Sequence, residues 1–252
     1  MAIALSVNLN KIALIRNSRE GNYPDLSVFG ERALTLGVAG LTVHPRPDCR
    51  HIRPGDISVL KSLVNKYPNS EFNIEGNPFA EPIRDYPGFI NIVEAASPHQ
   101  CTLVPDTNTQ LTSDHGFDLK QDGERLSPII ANLKAKNIRV ALFMDPDLEQ
   151  IDLAKQIGAD RIELYTGPYA KAFLEQSTNL DALVNSFYKA SEFATSIGLG
   201  VNAGHDLNLA NLPRFCGIPG LLEVSIGHAL TVDALTLGFD SAIAAYKKIC
   251  DK

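Results

Sequence analysis

Side chains that could transfer protons stand at the ends of short apolar segments along this chain. They include two histidines, His44 and His205, and two carboxylates, Glu75 and Glu163. Imidazole titrates near neutral pH, and burial raises the pKa of a carboxyl group toward the range that suits a general base. Such a set could shuttle protons in carbonyl chemistry, and the same residue types could also bind a divalent metal. Both functions stay open at this point.

A strongly basic segment occupies positions 44–53. It packs three arginines and two histidines into ten residues of a chain whose net charge is -6. The arginine guanidinium is a planar fork that matches phosphate, and histidine can add a donor. Because the segment begins where an apolar run ends, anion binding is favoured over a solvated loop. Arg16 and Arg19 could add to the same positive field.

Two late segments have the pattern of phosphate-binding turns: VNAGH at 201–205 and SIGHA at 225–229. In each, a glycine would allow the backbone to approach an anion, and a following helix start would supply free N–H donors. Together they predict a phosphate site built by the last two units of the chain.

A repeating pattern of short β-branched segments, each followed by a helical pattern, must position these residues. The predicted strands are Ile3–Asn8, Gly40–His44, Glu71–Glu75, Gln100–Val104, Ile138–Met144, Arg161–Tyr165, Leu199–Asn202 and Leu222–Ile226. The predicted helices are Leu26–Leu36, Ile57–Tyr67, Gly123–Lys136, Leu148–Ile157 and Leu180–Ile197. Gly37, Gly158 and Gly198 stand where a helix should end and the next strand begin.

Alternating strands and helices imply a parallel sheet, since parallel neighbours need crossover connections. Eight such units in 252 residues favour a closed (β/α)₈ barrel, one domain over residues 1–252 with extra helical segments in the βα loops. An open doubly wound sheet is the alternative, but no G-x-G-x-x-G loop follows the first strand. Prolines in 77–96 predict a short or broken helix there, and the polar stretch 105–123 is a candidate lid.

The chemistry of such a barrel lies where its strands end. The strands are predicted to be apolar, so the polar residues at their ends should converge on one rim: Asn8, His44, Glu75, Asp145, Glu163, Thr166, Asn202, His205 and His228.

Composition excludes several functions. The net charge of -6 argues against a general nucleic-acid binder, whose phosphate contacts need a basic excess. Four widely spaced cysteines suit free thiols in a reducing compartment. The N-terminal segment lacks the features of a signal peptide, and no apolar stretch is long enough to cross a bilayer. We therefore expect a cytoplasmic protein without a membrane partner.

The ordered motifs of this chain resemble those of the pyridoxine phosphate synthase family. They are VNLN at 7–10, LIRNSR at 14–19, TVHPR at 42–46, RHI at 50–52, NIE at 73–75, LVP at 103–105, IEL at 162–164, TG at 166–167, VNAGH at 201–205 and IGHA at 226–229. The resemblance runs from the first strand to the last. It implies a (β/α)₈ barrel that condenses deoxyxylulose phosphate with aminoacetone phosphate into pyridoxine phosphate, inorganic phosphate and water. It also implies no metal, no organic cofactor and a homo-octamer.

The resemblance further implies residue roles. His44 and Glu75 would accept protons and His205 would donate one. The residues expected to hold aminoacetone phosphate are Asn8, Arg19, Gly227 and His228. Those expected to hold deoxyxylulose phosphate are Arg46, His51 and Thr112.

The chain shows three departures, at four positions, from the best-known members of that family. Asn10 and Lys11 replace an Asp-His pair, Asp206 replaces a glycine, and Tyr165 stands where some members have histidine. We assign Asn10, Lys11 and Asp206 to substrate binding, with Lys11 donating to deoxyxylulose phosphate. Lys11 could instead be a solvated lysine or a Schiff-base nucleophile. Two other functions stay open: a metal-dependent sugar-phosphate isomerase or aldolase, and a non-catalytic sugar-phosphate binding barrel.

Overall fold

Eight parallel strands close into a barrel in the computed structural model, which describes residues 2–107 and 109–251. Each strand pairs with the next along the chain, and the last pairs with the first. The strands are β1 (Ala4–Asn8), β2 (Gly40–Val43), β3 (Glu71–Gly76), β4 (Gln100–Leu103), β5 (Arg139–Met144), β6 (Arg161–Tyr165), β7 (Gly200–Gly204) and β8 (Leu221–Ile226). The predicted (β/α)₈ barrel is confirmed.

Helices surround the barrel, and the described residues form eleven of them. They are α1 (Asn10–Asn17), α2 (Leu26–Thr35), α3 (Pro54–Val64), α4 (Phe89–Ala96), α5 (Leu119–Ala135), α6 (Leu148–Gln156), α7 (Gly167–Leu174), α8 (Leu180–Ser196), α9 (Leu212–Phe215), α10 (His228–Leu237) and α11 (Phe239–Cys250). Two helices follow each of β1, β6 and β8, so the expected extra helical segments are present.

Local sequence signals set the helix boundaries. The side chains of Asp25, Asp118 and Asp147 accept backbone N–H groups at the starts of α2, α5 and α6, as N-cap residues do. At the other ends, the glycines predicted to stop helices have positive φ angles, for example +78° at Gly37 and +94° at Gly158. These signals lie within a few residues of the boundary they fix, which explains why the sequence predicts them.

The structure agrees with the predicted length of one segment and differs from that of two others. Helix α4 is short, as the prolines before it predict. Strand β7 continues to Gly204, two residues beyond the predicted end, because its ladder with β6 extends to the pair Tyr165 and Gly204. Helix α5 begins at Leu119, so the connection from β4 is shorter than the predicted stretch 105–123.

The interior of the barrel is polar, which corrects the expectation of apolar strands. The Ser6 hydroxyl lies 2.7 Å from that of Thr42, and the amide of Asn73 donates to Thr42 at 3.3 Å. Thr102 on β4 donates to Glu163 on β6, which is not its neighbour in the sheet. Alternate strand residues face opposite sides, so apolar residues such as Leu5 and Val7 pack outward against the helices.

Within the described ranges, no helix combines the length and the apolar character that crossing a membrane requires.

Candidate active site

A cavity of about 440 Å³ opens at the end of the barrel where the strands terminate. Most of the predicted site residues line it, and they lie at or just after the ends of β1, β2, β3, β7 and β8, within β6 and in the connection after β4. The lining includes Asn8, Asn10, Lys11, His44, Arg46, His51, Glu75, Thr112, Glu163, His205, Asp206, Gly227 and His228. Six of the nine residues predicted to share one rim line this cavity, namely Asn8, His44, Glu75, Glu163, His205 and His228, whereas Asp145, Thr166 and Asn202 do not. Arg19 is not in the lining: it is exposed beyond α1 and donates to the Ser18 carbonyl.

Glu75 and His44 face each other from adjacent strands. Oε1 of Glu75 lies 3.6 Å from Nδ1 of His44 and accepts a hydrogen bond of 2.9 Å from the Asn8 amide. The side chain of Asn10 in turn accepts the backbone N–H of His44 at 2.9 Å. These contacts come from β1, β2 and β3, so the ladder of three neighbouring strands positions the candidate proton acceptors.

Asp106, which the sequence analysis missed, lies beside the same histidine. Its carboxylate is buried, pairs with Arg46 and accepts from the Ser113 hydroxyl at 3.1 Å. Its Oδ2 also lies 3.5 Å from Nε2 of His44. Asp106 comes three residues after the end of β4, so the strand-end rule applied to the other residues could have found it. Arg46 is therefore partly neutralised by a protein carboxylate.

His51 is held in one tautomer. Its Nδ1 accepts the backbone N–H of Ile52 at 2.9 Å, so in the neutral ring Nε2 carries the proton and serves as the donor. Burial, together with the positive charges of His44, Arg46 and Lys11, lowers the pKa of His51 to about 2. His51 is therefore a neutral hydrogen-bond donor at physiological pH, rather than part of the positive field.

Residues 111–113, in the connection between β4 and α5, line the cavity. The Thr112 hydroxyl is 2.8 Å from Nε2 of His205, and the carbonyls of Gln110 and Leu111 accept from the Arg50 guanidinium. On its far side, Gly116 donates its N–H to Asp145 at 3.1 Å. Asp145 thus anchors this connection. Residues 111–113 of the predicted lid segment thus line the cavity, and a lid function of the segment stays a prediction.

The first turn of α10 forms one wall of the cavity through Gly227, His228 and Ala229. A helix start presents N–H groups without intrahelical partners, and the helix dipole favours an anion there. A Cβ at Gly227 would lie 2.9 Å from Cβ of Asn8, so a larger residue would displace Asn8 from Glu75. The SIGHA segment therefore has the geometry predicted for a phosphate site.

Glu163 lies deeper than predicted. It stands in the middle of β6, is 3% exposed, and accepts from the Thr102 hydroxyl at 3.3 Å. Burial, reinforced by the nearby Glu75 and Glu223 carboxylates, raises the pKa of Glu163 well above its usual value. Gly204 leaves the space that the Glu163 carboxyl group occupies, because a Cβ at position 204 would lie 2.3 Å from Oε1 of Glu163. Glu163 lies in the middle of its strand and is bonded to Thr102, whereas Glu75 lies beside His44, which leaves Glu75 better placed for the role of general base.

Three expectations from the sequence are wrong. Arg16 does not join the positive field: it is buried, and its two terminal nitrogens pair with Asp56 at 2.6 and 2.9 Å. Asn202 is not on the rim, because β7 continues past it, and it accepts from Arg161 inside the barrel. The VNAGH segment has no helix start behind it, since α9 begins only at Leu212.

Lys11 lies on the rim in the first turn of α1 and is half-buried. No carboxylate of residues 2–107 and 109–251 lies within ion-pair distance of its ammonium group, although its charge helps to lower the pKa of Asp206. The position fits the predicted donor role, which stays a prediction.

The metal alternative required His44, His205, Glu75 and Glu163 to share an ion. Across the described part of the chain, no three histidine, cysteine, aspartate or glutamate side chains are grouped as metal ligands. His44 and Glu75 lie together, whereas His205 is bonded to Asp206 and Thr112.

The fold places the protein among the (β/α)₈ barrels, and the cavity at the ends of its strands holds candidate proton-transfer groups. The chain belongs to the family of the pyridoxal phosphate biosynthesis protein PdxJ, whose model matches residues 5–252. A pyridoxine 5'-phosphate synthase of Xanthomonas oryzae pv. oryzae is 51% identical over 250 residues, which cover 99% of this chain and 97% of the relative. The Agrobacterium fabrum protein of the same name is 46% identical, with 99% and 98% covered.

Solved structures with the same fold are more distant in sequence. The tryptophan synthase alpha chain of Legionella pneumophila aligns with a TM-score of 0.66 at 13% identity, covering 99% of this chain and 92% of that one. KGPDC from Streptococcus mutans aligns with a TM-score of 0.59 at 12% identity, covering 99% and 98%. At this identity the likeness concerns the barrel fold alone.

Proposed function

We propose that this protein is a pyridoxine 5'-phosphate synthase of vitamin B6 biosynthesis. It condenses 1-deoxy-D-xylulose 5-phosphate with 3-amino-2-oxopropyl phosphate and yields pyridoxine 5'-phosphate, inorganic phosphate and water. Family membership over nearly the whole chain supports this activity. The geometric observation that carries it is one cavity holding Glu75, His44 and His205 beside the N-terminus of α10.

The chemistry suits these groups. Imine formation, enolisation, loss of water and phosphate, and ring closure all move protons repeatedly beside anionic substrates. In our proposal Glu75 and His44 accept protons and His205 donates one. The hydrogen bond from the Asn8 amide orients the Glu75 carboxylate beside His44. We propose no metal and no organic cofactor in these steps.

The two substrates are assigned to opposite walls of the cavity. Asn8, Gly227 and His228, with Arg19 from beyond α1, are proposed to hold aminoacetone phosphate. Support comes from the contact of Gly227 with Asn8 and from the free N–H groups of α10. The residues proposed to hold deoxyxylulose phosphate are Asn10, Lys11, Arg46, His51 and Thr112. Arg46 could exchange Asp106 for a substrate phosphate, and His51 would donate through Nε2.

The direct test incubates the pure protein with both phosphorylated substrates and measures pyridoxine 5'-phosphate and released phosphate together. The two products should accumulate in equal amounts and only when both substrates are present. Omission of either substrate is the control for contaminating phosphatases. Tight binding of one phosphate ester without turnover would instead support the non-catalytic binding barrel, and turnover that chelators abolish would support the metal-dependent enzyme.

The chain is further proposed to be one cytoplasmic domain over residues 1–252 that assembles into a homo-octamer. Exposed apolar side chains on the adjacent helices α1 and α10 support assembly: Ile15 is 46% exposed and Leu235 is 77% exposed. Light scattering at micromolar concentration should give the mass of an octamer. A monomer would contradict the assembly and would leave the catalytic proposal standing.

A further inference from the structure

Both ring nitrogens of His205 are engaged. Nδ1 lies 2.9 Å from Oδ2 of Asp206, and Nε2 lies 2.8 Å from the Thr112 hydroxyl. The edge of the ring packs against Tyr165, with a distance of 5.2 Å between the ring centroids and 79° between the planes. Three contacts therefore set the orientation of the ring, and two of them, from Thr112 and Tyr165, come from other parts of the chain.

The backbone that produces the Asp206 contact is unusual. His205 and Asp206 have φ angles of +86° and +58°, in the left-handed region that residues with a Cβ seldom adopt. Contacts from outside the turn maintain it. The Thr166 hydroxyl donates to the carbonyls of Gly204 and His205, and the Asn211 amide donates to the carbonyl of Asp206 at 3.1 Å. Two consecutive residues held there, next to a candidate catalytic group, point to a functional constraint.

The Asp206 carboxylate is the charged partner in this pair. Its hydrogen bond with His205 lowers the pKa of Asp206, and the positive charges of His228 and Lys11 act in the same direction. A carboxylate can only accept hydrogen bonds, so Nδ1 of His205 must carry a proton. Nε2, on the side of Thr112 and the cavity, is then the nitrogen that exchanges its proton.

We propose that Asp206 is a positioning residue that fixes the Nδ1–H tautomer of His205 and presents Nε2 to the substrate. The carboxylate also stabilises the imidazolium that exists between proton uptake at Nε2 and its transfer to the substrate, as the aspartate of a Ser-His-Asp triad does. Thr112 occupies Nε2 in the free protein and gives way when the substrate binds. This inference rests on the proposed function, and it replaces the role in substrate binding that the sequence suggested for Asp206.

The chemistry of the site favours this role over a direct contact with a phosphate. A second negative charge beside a dianion is repulsive, and Oδ2 is already committed to the imidazole. A purely structural role for the turn would not need a carboxylate, because Asn and Gly adopt positive φ angles more readily than Asp.

Two substitutions separate these roles. Asp206→Gly removes the carboxylate and suits the left-handed backbone, so the variant should fold. Asp206→Asn keeps an acceptor oxygen without the charge. We expect Asp206→Gly to lower kcat by about 10- to 100-fold, the loss typical when the partner that orients a functional imidazole is removed. The KM of each substrate should stay within about twofold, and Asp206→Asn should recover part of kcat.

Nitrogen-15 NMR of histidine-labelled protein measures the tautomer of His205 directly. A purely structural role of Asp206 would leave that tautomer unchanged. Parent His205 should show the Nδ1–H tautomer, and Asp206→Gly should show a mixture of both tautomers. The control is Asp240→Asn, which removes a carboxylate from an exposed ion pair with Arg32, outside the cavity, and should leave kcat and the His205 signals unchanged.

Parental kcat in Asp206→Gly with an unchanged tautomer would overturn the inference and reduce Asp206 to a turn residue. A raised KM at unchanged kcat would overturn it in favour of a ligand contact. A parent protein that does not turn over the two substrates would refute the proposed function, while the tautomer measurement would still report on the pair.

Discussion

The two ends of the barrel carry similar charged residues, but these residues are paired to different extents. At the end where the strands begin, Arg139 pairs with Glu71 and donates to Gln100 at 2.9 Å, and Arg161 lies 3.2 Å from Glu223. At the end where the strands terminate, Lys11 has no ion-pair partner within residues 2–107 and 109–251. There the closest approach of His44 to Glu75 is 3.6 Å.

The difference separates stability from function. Charges that saturate one another hold the barrel closed, whereas rim groups with spare hydrogen-bonding capacity, such as Lys11 and the ring of His44, are available to a substrate. Gln100 belongs to the same network, because its carbonyl oxygen accepts hydrogen bonds from Arg139 and Asn202. We therefore expect substitutions at the two ends to affect different measurements.

Strand β3 offers the sharpest test, because it carries a glutamate at each end. Glu75→Gln should lower kcat by about 10²- to 10⁴-fold with little change in KM, since it removes a proton acceptor and keeps the hydrogen-bonding shape. Glu71→Gln is the matched control and should keep near-parental kcat. Steady-state kinetics of both variants measure the contrast. Near-full turnover in Glu75→Gln would remove Glu75 from the role of base.

Arg161→Met, at the end where the strands begin, should lower the stability of the protein and leave kcat unchanged. It leaves the carboxylate of Glu223, whose pKa burial already raises, without its cationic partner. Losing one member of a buried pair costs about 3 kcal/mol of unfolding free energy. Urea denaturation should show this loss while kcat per folded molecule stays parental. The double variant Arg161→Met/Glu223→Gln should recover part of the stability. A loss of kcat in Arg161→Met equal to that of Glu75→Gln would contradict the assignment of stability to one end and function to the other.

Lys11→Ala tests whether an unpaired charge at the rim serves the substrate. The KM for deoxyxylulose phosphate should rise by about tenfold, the effect of losing one charge-assisted hydrogen bond, while that for aminoacetone phosphate stays unchanged. Lys66→Ala, outside the cavity lining, is the control. Unchanged KM values for both substrates would return Lys11 to the role of a solvated side chain. A borohydride-stable adduct at Lys11 would indicate a Schiff base.

The smallest expected effect concerns His51 and pH. Its pKa is near 6.5 in the unfolded chain and is lowered to about 2 in the folded protein, so the unfolded state takes up the proton first as the pH falls. Its contribution to stability is complete above about pH 6.5 and is lost progressively below that. Denaturation at pH 7 and pH 5 should show a smaller decline for His51→Gln than for the parent. An equal decline would mean that His51 titrates normally.

The local signals of the sequence were sufficient for the elements of the fold. Helix-capping aspartates, helix-ending glycines and β-branched segments act within a few residues, so the eight strands could be placed to within one or two positions at most ends. The rim residues Asn8, His44 and Glu75 followed from the strand ends alone, because parallel strands terminate on the same side of a barrel.

The identity of each side chain's partner could not be predicted in this way. Arg16 is an arginine after the first strand, as expected of a phosphate ligand, yet it forms an ion pair with Asp56, forty positions away. Asp106 pairs with Arg46 across sixty positions. Contacts of this separation depend on how the strands register and how the loops fold back, neither of which is encoded in a short window.

The sequence by itself determined the alternation of strands and helices, the family resemblance and the set of residues available for proton transfer. Only the tertiary structure decided which of them act together. Asp206 illustrates the physical reason: its carboxylate reaches His205 because hydrogen bonds from Thr166 and Asn211 hold a backbone conformation that neither residue favours by itself. A left-handed turn at a residue with a Cβ is stabilised by its surroundings, and those surroundings exist only once the barrel has closed.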